Sequence, residues 1–219
     1  MSAAATQSFY GRWARAYDWL CRLLPGLDGL RKHAVDALDL SAGDTVVDLG
    51  CGTGANLRHL RAAVGPSGTV VGVDLTPGML ARAGERVERA GWRNVHLVRG
   101  DAAGPPVDDV DAVLATFVVG LLPDPGAGVA AWTDAVGPGG RVAVLEAGRS
   151  NHAVAGRLNG AFDALVGAWN PGGRGDAPSR TLDARIDAAR DALDANANEV
   201  REERRAGGFL RLFAGRVER

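Results

Sequence analysis

"VVDLGCGTGAN" (46–56) places Gly50, Gly52 and Gly54 within five positions, directly after an apolar run that contains Asp48 and ends on Leu49. A strand that turns sharply into a helix presents unpaired backbone N–H groups and the positive end of the helix dipole. Glycine at such a turn removes the Cβ and admits dihedrals that other residues resist. Three glycines exceed what a tight turn requires. The stretch is therefore read as a strand, a loop that holds a ligand against its backbone, and a helix.

The surrounding rhythm agrees with that unit. Short β-branched runs alternate with Ala/Arg/Leu stretches, and glycine or proline stands at nearly every junction. Strands are expected at 45–49, 69–75, 94–100, 111–117 and 141–147, and helices from about Ala55, Pro77, Ala127 and Ala153. Thr76 is expected to cap the second of these helices, with Pro77 in its first turn and Gly91 after its end. "GPGG" (137–140) reads as a tight turn before the fifth strand. After a Gly/Pro-rich loop at 170–179, a helix over about 182–195 leads to "EVREERR" and "GFLRLFAGR", an antiparallel hairpin joined by "AGG".

The expected fold class is α/β: a doubly wound, mostly parallel seven-stranded sheet with an antiparallel C-terminal hairpin and an N-terminal helical lid. The length of 219 residues suits one domain. It divides into a lid (1–40), a cofactor-binding core (41–149), and substrate-side helices with the closing hairpin (150–219). The lid contains "FYGRWARAYDWLCRLL" (9–24), amphipathic at helical period, with Arg12, Arg15 and Arg22 opposite the apolar arc.

Charge and composition narrow the partners. The formal net charge is -1, so no global field recruits nucleic acid. The longest uncharged apolar run, 112–122, is shorter than the about 20 residues that span a bilayer. "MSAAATQSFYGR" has no signal pattern, and Cys21 and Cys51 are the only cysteines, so the expected location is cytoplasmic. No histidine or cysteine spacing matches a metal pattern, so no metal is expected.

The glycines alone leave two ligands open, because the stretch also satisfies G-x-G-x-x-G/A with Ala55 last. Asp74, ending the second strand, suits a ribose hydroxyl pair under either reading. Asp48 suits a ligand ammonium and would repel a diphosphate. Asp101, in "RGDA", can accept from an adenine amino group, and a dinucleotide fold would continue with parallel strands rather than a hairpin. These features favour an adenosyl amino acid over NAD.

In order and spacing, "VVDLGCGTG", "VVGVDLTPGML", "VRGDAA" and "VGPGGRVAVLEAG" resemble the class I S-adenosylmethionine-dependent methyltransferases. "FYGRWARAYDWL" and "GPGGRVAVLE" carry a closer likeness to the ubiquinone/menaquinone-biosynthesis group. Where that group has an Arg-Asn pair after the fourth strand, this chain reads "VVGLLPDP" (118–125). The resemblance implies S-adenosylmethionine as cofactor. It implies Gly50, Gly52 and Gly54 along the methionine part, with Cys51 in the same loop. Asp74, beside Leu75, would take the ribose, Asp101 and Ala102 the adenine, and Thr116 and Phe117 the far wall.

The expected function is methyl transfer to a small-molecule or lipid-like acceptor. An NAD-dependent oxidoreductase and a non-catalytic adenosylmethionine-binding protein are the alternatives. A methyl transfer needs a base only if the nucleophile must first lose a proton. The candidates are His152 and Glu146, both near the end of the fifth strand, and Tyr17 on the lid helix. His33 is a weaker candidate, and His59 and His96 read as structural or solvated. A peripheral membrane contact through the first helix and a homodimer are further partner expectations.

Overall fold

The computed structural model describes residues 26–169 and 178–218. The lid helix expected at 9–24, with Tyr17, lies outside the described residues. Helix α1 spans Leu27–Asp36, β1 Thr45–Leu49, α2 Leu57–Val64, β2 Thr69–Asp74, α3 Pro77–Ala90 and β3 Val95–Arg99. Then follow β4 Val110–Thr116, α4 Pro125–Ala135, β5 Val136–Ala147, α5 Asn159–Trp169, α6 Pro178–Asn196, β6 Asn198–Arg205 and β7 Leu210–Arg216.

The strands form one sheet in the order β3-β2-β1-β4-β5-β7-β6. β1 to β5 run parallel, and β7 pairs antiparallel with both β5 and β6. The chain reverses its direction of travel across the sheet between β3 and β4, so the carboxyl ends of β1 and β4 lie side by side. Open α/β sheets bind their ligands at such a switch point.

Both faces of the sheet are covered, which is why its strands read as nearly continuous apolar runs. Val46, Val70, Ala112, Leu114 and Leu145 pack on one side with Val35, Leu57, Leu60 and Ala83 from α1 to α3. Val47, Val113, Val144 and Phe213 pack on the other with Val129 and Trp132 of α4 and Ile186 and Leu193 of α6. Adjacent residues such as Val46 and Val47 serve opposite layers.

Local chemistry sets the boundaries. Asp124 caps α4 by accepting from the Ala127 N–H at 3.0 Å, and Pro125 fills the first turn. The helix therefore begins two residues earlier than expected. Gly91 ends α3 at φ 66°, as expected, but Thr76 makes no side-chain cap. Its hydroxyl bonds Asp74 instead. The connection after β5, where a helix was expected from about Ala153, begins with a short 3-10 turn, Ala155–Leu158, and α5 proper starts at Asn159.

"GPGG" belongs to β5 rather than to a turn that precedes it. Val110 pairs with Val136 and Ala112 with Arg141, so residues 137–140 bulge opposite Asp111. A Cβ on Gly140 would lie 2.4 Å from the Asp111 carbonyl oxygen. The Gly139 N–H donates to Val217 O at 2.7 Å and the Val217 N–H to Gly140 O at 2.8 Å, so the bulge remains paired.

Trp132 is fully buried, and its Nε1–H donates to the Ala102 carbonyl at 2.6 Å, tying α4 to the loop after β3. Trp132→Phe keeps most of the packing and orphans that carbonyl. We expect a loss of about 1–3 kcal/mol in urea unfolding.

Candidate functional site

The loop after β1 is held by its own backbone and by the acids beside it. Gly50, Gly52 and Gly54 all have positive φ, at 63°, 55° and 79°. The Cys51 N–H donates to Val73 O at 2.9 Å, and the Gly54 N–H to Cys51 O at 2.9 Å. Cys51 is buried against β2, and burial pushes its thiol pKa well up.

The three glycines do different work. A Cβ on Gly50 would lie 2.3 Å from Cγ2 of Val118, and one on Gly54 2.7 Å from Cδ1 of Leu57. At Gly52 the nearest atom would be the Gly50 carbonyl oxygen, 3.9 Å away. Described side chains fill the space a Cβ would need at Gly50 and Gly54, whereas none lies within 4 Å of that place at Gly52.

Asp74 links β2 to this loop. One carboxylate oxygen accepts from the Gly52 N–H at 2.9 Å and the other from the Thr76 N–H at 2.8 Å. Burial raises its pKa, and those bonds oppose the rise. Leu75 follows it, partly buried.

Asp48 is wholly buried, accepting from Asn56 Nδ2 at 2.9 Å, while its second oxygen has no partner among the described residues. Burial pushes its pKa up to about 7, against the Asn56 bond and the Arg31 charge. Thr116 is buried too, and its hydroxyl oxygen accepts from Asn56 and from Arg31 Nη1 at 3.0 and 3.1 Å. Phe117 sits at φ 60° with the Arg31 guanidinium 5.4 Å from its ring centroid. Asp101 is exposed and accepts from the Ala103 N–H at 2.9 Å.

Glu146 is a structural cap in this arrangement. It is buried, and its Oε1 accepts from the Val118 and Val119 N–H groups at 2.6 and 2.7 Å. Burial pushes its pKa up to about 7, against those two bonds. His152 is exposed, with Nδ1 accepting from the Val154 N–H at 3.4 Å. His33 faces away, pairing with Glu203 at 3.0 Å and Arg205 at 3.1 Å on β6. His59 pairs with Asp28 at 2.9 Å, and His96 is exposed on β3.

Sequence reasoning passed over three residues that the fold brings here. Val118 and Arg31 carry no local signal, since one reads as part of an apolar run and the other as a solvated helix face. Asn56, a buried amide at the end of the glycine loop, was the legible one.

Residues 46–140 match a family model described as a methyltransferase domain. Over that stretch, a little under half of the 219 residues, the chain is similar to methyltransferase domains. It is 36% identical over 114 residues to the aklanonic acid methyltransferase of Streptomyces sp. (strain C5), covering 51% of this chain and 52% of that one. It is also 36% identical over 149 residues to the demethylmenaquinone methyltransferase of Desulfitobacterium hafniense (strain Y51), covering 66% and 59%. This chain thus spans between about half and six-tenths of those curated relatives. A solved S-adenosylmethionine-dependent methyltransferase from Aquifex aeolicus shares the fold across 94% of this chain and 98% of its own, with TM-score 0.64 and 19% identity.

The residues fit that cofactor. Gly52 offers an open backbone, Asp74 an acceptor pair at the end of β2, and Asp48 a carboxylate oxygen that no described side chain has claimed.

The glycine assignment separates two variants. Gly50→Ala meets Val118 and lowers the melting temperature sharply. Gly52→Ala suffers only the left-handed strain of about 1–2 kcal/mol, yet weakens S-adenosylhomocysteine at least about tenfold by calorimetry.

The raised acids set a pH dependence. Native Asp48 and Glu146 retain protons that the unfolded chain releases between about 4 and 7. Their contribution is fully present below that window and is lost as pH rises through it. The urea midpoint is expected to fall from pH 5 to pH 8. Glu146→Gln keeps an acceptor for Val118 and Val119, flattens the fall, and gains up to about 3 kcal/mol at pH 8.

Proposed function

We propose that this protein transfers a methyl group from S-adenosylmethionine to a small-molecule or lipid-like acceptor. The observation that carries this reading is the open face of Gly52 beside the Asp74 carboxylate at the carboxyl edge of the parallel strands. The cofactor supplies a methyl on a sulfonium, an activated group with a neutral leaving sulfur. The chain's residues then bind, orient and exclude water, and alignment of this kind is worth roughly 7–11 kcal/mol.

In this reading Gly52 receives the methionine part, Asp74 the ribose, and Asp101 and Ala102 the adenine, while Phe117 and Val118 bound the opposite side. Glu146 acts as the brace of that wall. Its Oε1 is committed to two N–H groups, so the geometry favours no base role for it. Leu121 follows β4, and Val154 and Leu158 follow β5, all exposed beyond the carboxyl edge at 48%, 68% and 61%. That apolar rim favours a hydrophobic acceptor.

The likeness to demethylmenaquinone methyltransferases favours a quinol-like ring as the second, narrower reading. The stretch that follows β4 here is apolar, so the acceptor is held by packing rather than by an arginine.

Titration with S-adenosylmethionine, S-adenosylhomocysteine and NAD tests the cofactor, with an Asp74→Ala variant beside the wild type. Binding of the two adenosyl ligands alone, weakened at least about tenfold in the variant, is the expected result; NAD binding would favour hydride transfer. Incubation with labelled cofactor and a panel of quinols, phenols and lipids then reads turnover. Tight cofactor binding with no transfer to any acceptor would favour a non-catalytic binding protein.

A further inference from the structure

Of the three basic residues of α1, Arg31 turns inward, 6% exposed, while Lys32 pairs with Asp36 in solvent and His33 with Glu203. Arg31 Nη1 donates to Asn56 Oδ1 at 2.9 Å and to Thr116 Oγ1 at 3.1 Å. One nitrogen of α1 thus joins the end of the glycine loop to the end of β4. Because the Asn56 carbonyl is taken by a cation, its amide nitrogen is directed to Asp48 Oδ1 and Thr116 Oγ1, at 2.9 and 3.0 Å. Arginine fixes which way the amide faces, and the amide fixes Asp48.

Asp48 then has one bonded oxygen and one enclosed oxygen without a partner among the described residues. A buried carboxylate in that condition is costly unless a donor or cation meets it. The charged and titratable groups that face it are Arg31 from α1, Asp74 from β2 and Cys51 from the loop. Arg31 supplies the cation, bonding through Asn56 rather than to Asp48 itself. Without Arg31, burial and Asp74 would both act to keep Asp48 neutral.

We propose that Arg31 is a positioning residue for the amino-acid end of the adenosyl ligand, holding Asn56 and Thr116 so that Asp48 is fixed by one oxygen and keeps the other for the ligand ammonium. The inference rests on the methyltransferase reading. It extends the cofactor site back to residue 31, into the segment assigned to the lid from sequence.

The test compares S-adenosylhomocysteine with 5′-methylthioadenosine, which keeps the nucleoside and lacks the amino-acid end. Calorimetry on the full chain is run for wild type, Arg31→Met and Arg31→Lys, with melting curves to verify folding. Wild type should prefer S-adenosylhomocysteine. Arg31→Met should lose at least about tenfold for that ligand while 5′-methylthioadenosine changes by less than about twofold, and Arg31→Lys, which keeps the charge, should recover part of the loss. Asn56→Ser breaks the same relay and carries the same expectation if Arg31→Met does not fold. Equal weakening of both ligands makes Arg31 merely structural and overturns the proposal, as does no change in either. Wild type binding neither ligand overturns the methyltransferase reading itself, an outcome distinct from loss of selectivity in the variants alone.

Discussion

The contact between Val118 and Gly50 fixes the geometry on which the site depends. Cγ2 of Val118 occupies the place a Cβ on Gly50 would need, so the turn after β1 and the turn after β4 can approach only because position 50 has no side chain. Val118 is in turn fixed from behind, since Glu146 at the end of β5 binds its N–H and that of Val119. Three adjacent parallel strands are thereby locked at their carboxyl ends by one missing methyl group and one carboxylate.

Three buried or half-buried acids organise that edge, each through a different kind of donor. Asp48 is held by an amide, Asp74 by two N–H groups on separate segments, and Glu146 by two successive N–H groups of one turn. Fixed dipoles of this kind need no reorganisation when a charged ligand arrives.

The architecture was legible in the sequence because both layers of the sheet wrote their requirements into it. The β-branched runs, Pro77 and Gly91 marked real boundaries, and the closing hairpin was visible in "AGG" between two strand-like runs. The errors came where tertiary pairing overrides local chemistry. "GPGG" looks like a turn in isolation, yet the Asp111 carbonyl and the chain after β7 hold it in the sheet. The acids at the strand ends could be found, but not their duties, since Glu146 as a brace and Glu146 as a base have the same sequence. Arg31 was hidden for a related reason: a helical pattern reports which face is buried only on average, and one arginine can cross it when two acceptors wait inside.

The outermost strand has a bearing on what this fold avoids. Among the described residues β6 lies at the edge of the sheet and pairs only with β7. Its free backbone edge is a template onto which another chain could hydrogen-bond. "NEVREERR" lines that edge with three arginines and three glutamates in close succession, several of them linked to one another and to His33 and Arg190 by ion pairs. An incoming strand would have to break those pairs and desolvate their charges before gaining a single ladder bond. The last element of the sheet is thus also its terminus, protecting an otherwise adhesive β-structure from polymerising with its neighbours.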